Sequence, residues 1–258
     1  MNRFKFFTEE GDQMAVAGLN VDFIRRAEKV ISFNLTAVDF QSVEYKKEIQ
    51  WLFTKNFFPS FDINLNAIDT VDKSRLNTAI NKLKIINKSG YEKLHKYNIK
   101  GIGPGEIVMY YLLNKGYLGG GSSAGVDLVV GSSKYEIKAV DISPDGKIAN
   151  NFKTGGTFQT SDLITRAMKL KKKVNGAGEG VNGATIKQII AIFPEEWKKL
   201  EEDYRKRVYD NYFKNHEIIF INNKPKNLGE IASIKKIQLN DIFFERVTSG
   251  VIKPKVAI

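Results

Sequence analysis

The chain has no cysteine in 258 residues, which excludes disulfides, thiolate zinc sites and cysteine nucleophiles together. Histidine is nearly as scarce: His95 and His216 stand alone, far apart and without metal-ligand spacing, and both read as structural or surface residues. No apolar run approaches the roughly 20 residues a bilayer span requires, so no membrane partner is expected. The segment Met1 to Glu10 has too short an apolar stretch for a secretory signal and meets acidic residues at once. The expected location is therefore the cytoplasm. The two tryptophans, Trp51 and Trp197, fall in helical patterns and read as packing residues rather than base-stacking ones.

Acidic charge is also in deficit. Asp and Glu number 29 against 40 Lys and Arg, a formal net charge of +11. Such a surplus suits a polyanionic partner, nucleic acid first, although a lysine-rich composition also serves solubility. An acidic pocket within so basic a chain says more than the charge does.

Two helices are expected early, over Val43 to Phe58 and from Asp72 or Ser74 through Ile86, because apolar residues recur there at helical spacing. Residues 1–95 read as an N-terminal, partly helical region that guides substrate or assembly, and residues 96–258 as the main domain. Within the latter, Ile107 to Leu113 is helical and Gly119 to Gly125 a flexible loop. Gly125 to Val130 and Lys134 to Ile142 form a hairpin, and Ser161 to Val174 a helix. Ile186 to Phe193 is nearly continuous apolar sequence and reads as a buried strand. A charged helix from Pro194 and strands at His216 to Asn222, Ile231 to Leu239 and Asp241 to Val247 complete the order. The class is α/β or α+β, a mixed central sheet flanked by helices.

Chemistry gathers on the hairpin. Side chains alternate across strands, so Asp127 shares a face with Val129, and Glu136 shares one with Lys138. A turn centred on Ser132 and Ser133 would pair Val129 with Glu136 and Asp127 with Lys138. Asp127 and Glu136 then become diagonal neighbours, about 7–8 Å apart along the backbone. Two converging carboxylates repel unless a cation or a shared proton intervenes. Oxygen ligands without cysteine favour a hard ion, Mg²⁺ or Mn²⁺, and such ions usually serve phosphate chemistry. The reverse face, with Leu128, Tyr135, Ile137 and Ala139, can pack on a core.

Glu106 at a helix start, Gly-Val-Asp127-Leu on one strand and Tyr-Glu136-Ile-Lys138-Ala on the next resemble the PD-(D/E)xK nuclease superfamily over about residues 104–193. The resemblance implies a restriction-endonuclease-like core and a Mg²⁺-dependent deoxyribonuclease. By position, Asp127, Glu136 and the carbonyl of Ile137 would hold the metal. Lys138 would act on the attacking water, and Glu106 would bind a second ion, or the first through water. A polar residue facing the site in several branches adds Gln159. Val126 stands where the literal motif has proline. The resemblance also suggests phage or mobile-element origin, with the virion or host cytoplasm as location and a second copy or a phage protein as further partner.

Other signals point the same way. Ser122 and Ser123, with nearby backbone amides, could approach a DNA phosphate, and the loop lacks the Gly-Lys-Ser/Thr ending of a nucleotide site. Lys169 and Lys172, near the end of the helix after the hairpin, suit its dipole and could meet phosphate. The glycine-rich Gly101-Ile-Gly-Pro-Gly105 resembles the turn of a helix-hairpin-helix element, a competing role for the start at Glu106. The sequence thus leads to an endonuclease acting on DNA, since no element for recognising a chain end is visible. The competing readings are a non-catalytic DNA-binding or virion assembly protein, and an RNA-processing enzyme.

Overall fold

The computed structural model describes residues 18–29, 35–58, 68–97, 99, 102–121, 126–142, 160–176, 180–248 and 251–256. Its first half is helical: α1 (Val21–Lys29), α2 (Ala37–Gln41), α3 (Lys46–Phe57) and α4 (Lys73–Lys96). Ile49, Leu52 and Phe53 form the buried stripe of α3, the apolar face that makes a marginal helix stable. Asp72 caps α4 by accepting from the Arg75 N–H at 2.8 Å. The stop expected at Ile86 is a kink at Asn87, which has φ −156° and ψ 91°. Asn87 accepts from the Gly90 N–H, restarting the helix, and donates to the Phe57 carbonyl at the end of α3.

The second half begins with α5 (Glu106–Leu112) and the strands β1 (Gly116–Gly121), β2 (Val126–Val130) and β3 (Ser133–Val140). Next come α6 (Ser161–Asn175), α7 (Gly183–Ile192) and α8 (Pro194–Val208), which runs into a π-helical turn, Tyr209–Phe213. The strands β4 (Glu217–Asn222), β5 (Ile231–Lys235), β6 (Ile242–Thr248) and β7 (Val251–Val256) follow. The central sheet has five strands in the order β1-β2-β3-β4-β5, while β6 and β7 pair separately. All neighbours in the central sheet are antiparallel except β3 and β4, which run parallel. The fold is mixed α/β.

Each sheet face carries its own core. On β4, Ile219 and Ile221 face the core shared with α1, α3, α4 and α5, while Ile218 and Phe220 face the one shared with α6, α7 and α8. All four are fully buried, as an inner strand covered on both sides requires. Leu128, Tyr135 and Ile137 turn toward the first core, as strand alternation predicts. Glu136, Lys138 and Val140 therefore turn toward the second.

Two expectations are corrected here. The run Ile186 to Phe193 is not a strand; it lies in α7, whose buried residues Thr185, Ile186 and Ile189 follow helical spacing, with Ile190 and Ile192 exposed. Asn182 caps this helix through the Thr185 N–H. The inner strand expected there is supplied by β4. The segment Gly119 to Gly125 is not wholly loop either: β1 extends through Gly121 and pairs with β2, and 122–125 lie outside the described residues. Strand β7 has no counterpart among the sequence expectations.

Candidate active site

The hairpin turn is Gly131-Ser132, with Gly131 at φ 61°, one residue earlier than the sequence suggested. Leu128 pairs with Tyr135, Val129 with Lys134 and Val130 with Ser133. Continued by one step, this register sets Asp127 directly opposite Glu136, where a diagonal relation was expected. The two-residue change in pairing preserves the parity of the strands, so both carboxylates still share a face.

Their geometry is close. Asp127 Oδ2 accepts from the Ile137 N–H at 2.8 Å, and the Glu136 charge acts on the Asp127 carboxyl. The Lys138 ammonium bonds Glu136 Oε1 and stands 3.9 Å from Asp127 Oδ2. Glu136 Oε2 is buried with no hydrogen-bond partner among the described residues. A buried carboxylate oxygen left in this way is costly unless some further group meets it.

Glu106 enters from α5. A glycine turn positions it: Gly105 precedes the helix at φ 88°, and a Cβ there would stand 2.8 Å from Ile221 Cδ1. The Gly103 N–H donates to Glu106 Oε1 at 2.5 Å. A Cβ on Gly103 would come within 2.6 Å of that same oxygen and displace the carboxylate, while at Gly105 the positive φ itself calls for glycine. Burial, then the Asp127 charge, pushes the Glu106 carboxyl up to about 8. Asp127 rises to about 6 through burial and Glu136, against the opposing pull of Lys138. Mutual electrostatic action thus joins all four of Glu106, Asp127, Glu136 and Lys138.

Two neighbours were missed by the sequence reading. Tyr212, in the π-helical turn, donates its hydroxyl to Glu136 Oε1. His216 is buried and packs edge-on against Tyr212 with centroids 5.4 Å apart. Burial lowers its proton affinity while Glu136 opposes that effect. Neither residue carries a local motif. What brings them in is the parallel pairing of β3 with β4, which sets the chain just before β4 beside Glu136 and has no local signal in the sequence.

Ser122, Ser123 and Gln159 lie outside the described residues. Lys169 and Lys172 are exposed on α6. His95 is buried, and burial lowers its proton affinity to about 4. Trp197 is buried, in keeping with a packing role.

Among the described residues, no group of three or more Asp, Glu or His side chains is gathered to hold a metal ion. The unit that remains is the Asp127–Glu136 pair with its lysine. Compared with protein-family models, curated proteins and solved structures, the chain finds no match. No helix among the described residues is long and apolar enough to cross a membrane.

Proposed function

We propose that the chain is a metal-dependent nuclease that hydrolyses DNA phosphodiester bonds, with Asp127 and Glu136 as the cation ligands. The observation that carries the reading is the gathering of those two carboxylates on Lys138, with one oxygen, Glu136 Oε2, buried and unpartnered among the described residues. The residues fit a hard divalent ion. Mg²⁺ is usually held by one or two carboxylates, with water and substrate phosphate completing the octahedron, so a third preassembled ligand is not needed. When bound, such an ion polarises a phosphoryl oxygen and lowers the proton affinity of water.

The chain's own groups take the other roles. Lys138 is placed to hold and orient a water beside the carboxylates, and Glu106, held by the Gly103 N–H, keeps a carboxyl group at the rim of the pair. The Ile137 carbonyl remains a third candidate ligand. The helix leading into an antiparallel three-strand meander, with a later strand added parallel to β3, supports a restriction-endonuclease-like core. The net charge of +11 supports a nucleic-acid substrate, and DNA with endonucleolytic cutting is the form we favour.

A competing reading, DNA binding without cleavage, draws on a specific observation. Lys138 already offsets one charge of the carboxylate pair, and the three groups could be a structural ion triad. Cleavage assays on linear, circular and single-stranded DNA, with RNA alongside, decide between them. Metal-dependent cutting by the parent that is lost in both Asp127→Asn and Glu136→Gln supports the nuclease. Cutting that persists in either pure variant, or a parent inert with both Mg²⁺ and Mn²⁺, ends it.

A further inference from the structure

Glu136 is held from two sides. Lys138 reaches it from the same strand, and Tyr212 reaches it from a segment 76 positions away in the chain. Both bonds fall on Oε1, and Oε2 is left without a partner among the described residues. The tyrosine comes from a backbone conformation that is rare. The π-helical turn closes with the Lys214 N–H donating to the Tyr209 carbonyl, a five-residue span that widens the helix and re-aims the side chains on it. Both adjacent side chains, Tyr212 and Phe213, are buried there.

The ring is fixed as firmly as the hydroxyl. Phe213 packs against it edge-on with centroids 4.8 Å apart and His216 at 5.4 Å. The Lys138 ammonium stands 5.9 Å from the ring centroid, within the range of cation–π attraction. One tyrosine therefore touches both charged ends of the Glu136–Lys138 pair.

We propose that Tyr212 is a positioning residue for the cation site: its hydroxyl occupies Oε1 so that Oε2 is presented to the metal, and its ring steadies the Lys138 ammonium. This rests on the reading of Asp127 and Glu136 as metal ligands. Groups that orient a ligating carboxylate typically change metal affinity by about 10- to 100-fold when removed. A tyrosine that served the core alone would leave affinity unchanged once its ring was kept.

The test is Mn²⁺ titration of the full metal-free chain by calorimetry, followed by cleavage measured against metal concentration. Tyr212→Phe keeps the ring and removes only the hydroxyl. It should weaken Mn²⁺ binding by about tenfold or more, with a melting temperature close to the parent's. Cleavage should recover at high Mn²⁺ because Lys138 keeps its ring partner. Tyr212→Leu, which removes ring and hydroxyl, should lose cleavage that excess metal does not restore. In a Glu136→Gln background, Tyr212→Phe should have no further effect on binding.

Tyr212→Phe binding Mn²⁺ as tightly as the parent overturns the positioning role while leaving the metal reading intact. An undiminished tyrosine effect in the Glu136→Gln background also overturns it. A parent that binds no Mn²⁺, or that binds it equally well after Glu136→Gln, overturns the underlying reading and the inference with it. If Tyr212→Phe does not fold, Mn²⁺ affinity is read in Tyr212→Leu, which also lacks the hydroxyl: weakened binding with the fold intact supports the inference, and affinity equal to the parent's overturns it.

Discussion

Asp127 accepts a hydrogen bond from the backbone N–H of Ile137 at 2.8 Å. One carboxylate is thereby tied to the strand that carries the other, and the bond fixes the proposed ligand through a backbone donor. The consequences can be measured.

Lys138→Met separates a catalytic lysine from a structural one. Removing the ammonium leaves the two carboxylates facing each other, so the metal-free protein should lose about 1–3 kcal/mol, less than a fully buried pair would. Mn²⁺ binding should tighten, because the ammonium no longer competes for the carboxylates. Cleavage should fall by about 10²–10⁴-fold if the lysine moves protons. Unchanged cleavage would confine Lys138 to the ion triad.

The pH dependence of stability has a definite sign. Folding raises the Glu106 and Asp127 carboxyls, to about 8 and about 6. The folded state thus holds protons that the unfolded chain releases above the ordinary carboxylate range. That stabilisation is complete below the unfolded values and is lost as pH rises through the folded ones. Between pH 6.5 and pH 8.5, above the range where the buried His95 works in the opposite direction, the metal-free protein should therefore lose stability by about 1–2 kcal/mol in denaturant melts. Saturating Mg²⁺ should flatten the curve, since the ion replaces the protons. A curve that rises toward pH 8.5 without metal contradicts the burial of these groups.

The two glycines beside Glu106 should behave differently. Gly105→Ala places a Cβ against Ile221 on a backbone with positive φ, so it should cost stability, by about 1–3 kcal/mol. Gly103→Ala crowds the Glu106 carboxylate itself. It should disturb activity more than stability, with the kinetic loss resembling that of Glu106→Gln. Equal effects from both glycines would mean that the turn serves only the fold.

In α7, Ile189→Ala should cost about 2–5 kcal/mol, as a fully buried isoleucine does. Ile190→Ala, at a position 43% exposed, should cost well under half of that. A buried strand would make both substitutions severe, so thermal melts of the pair test the helix directly.

That segment illustrates where the sequence stops being legible. A short apolar run is compatible with a buried strand or with one face of a helix, and only its partners decide. Asn182 is a local sign of the helix through its cap, but the strand reading rests on the nearly continuous apolar run alone. The hairpin was easier, because alternation depends on parity alone: Asp127 and Glu136 share a face in either register. Their pairing partners depended on which two residues formed the turn, and Gly131, able to take positive φ, moved it by one. Tyr212 and His216 were beyond reach, since their place beside Glu136 follows from the pairing of β3 with β4. The break at Asn87 falls between these cases, visible as the end of a pattern but not as a restart.

The parallel pairing of β3 with β4 also sets an order in time. Glu136 bonds a tyrosine 76 residues further along the chain, and contacts of such separation close late because the intervening loop must first lose its freedom. A chain emerging residue by residue exposes Glu106, Asp127, Glu136 and Lys138 long before Tyr212 and β4 arrive. The acidic pair thus gains its final geometry only when the second core is assembled, which makes completion of the fold the step that arms the site.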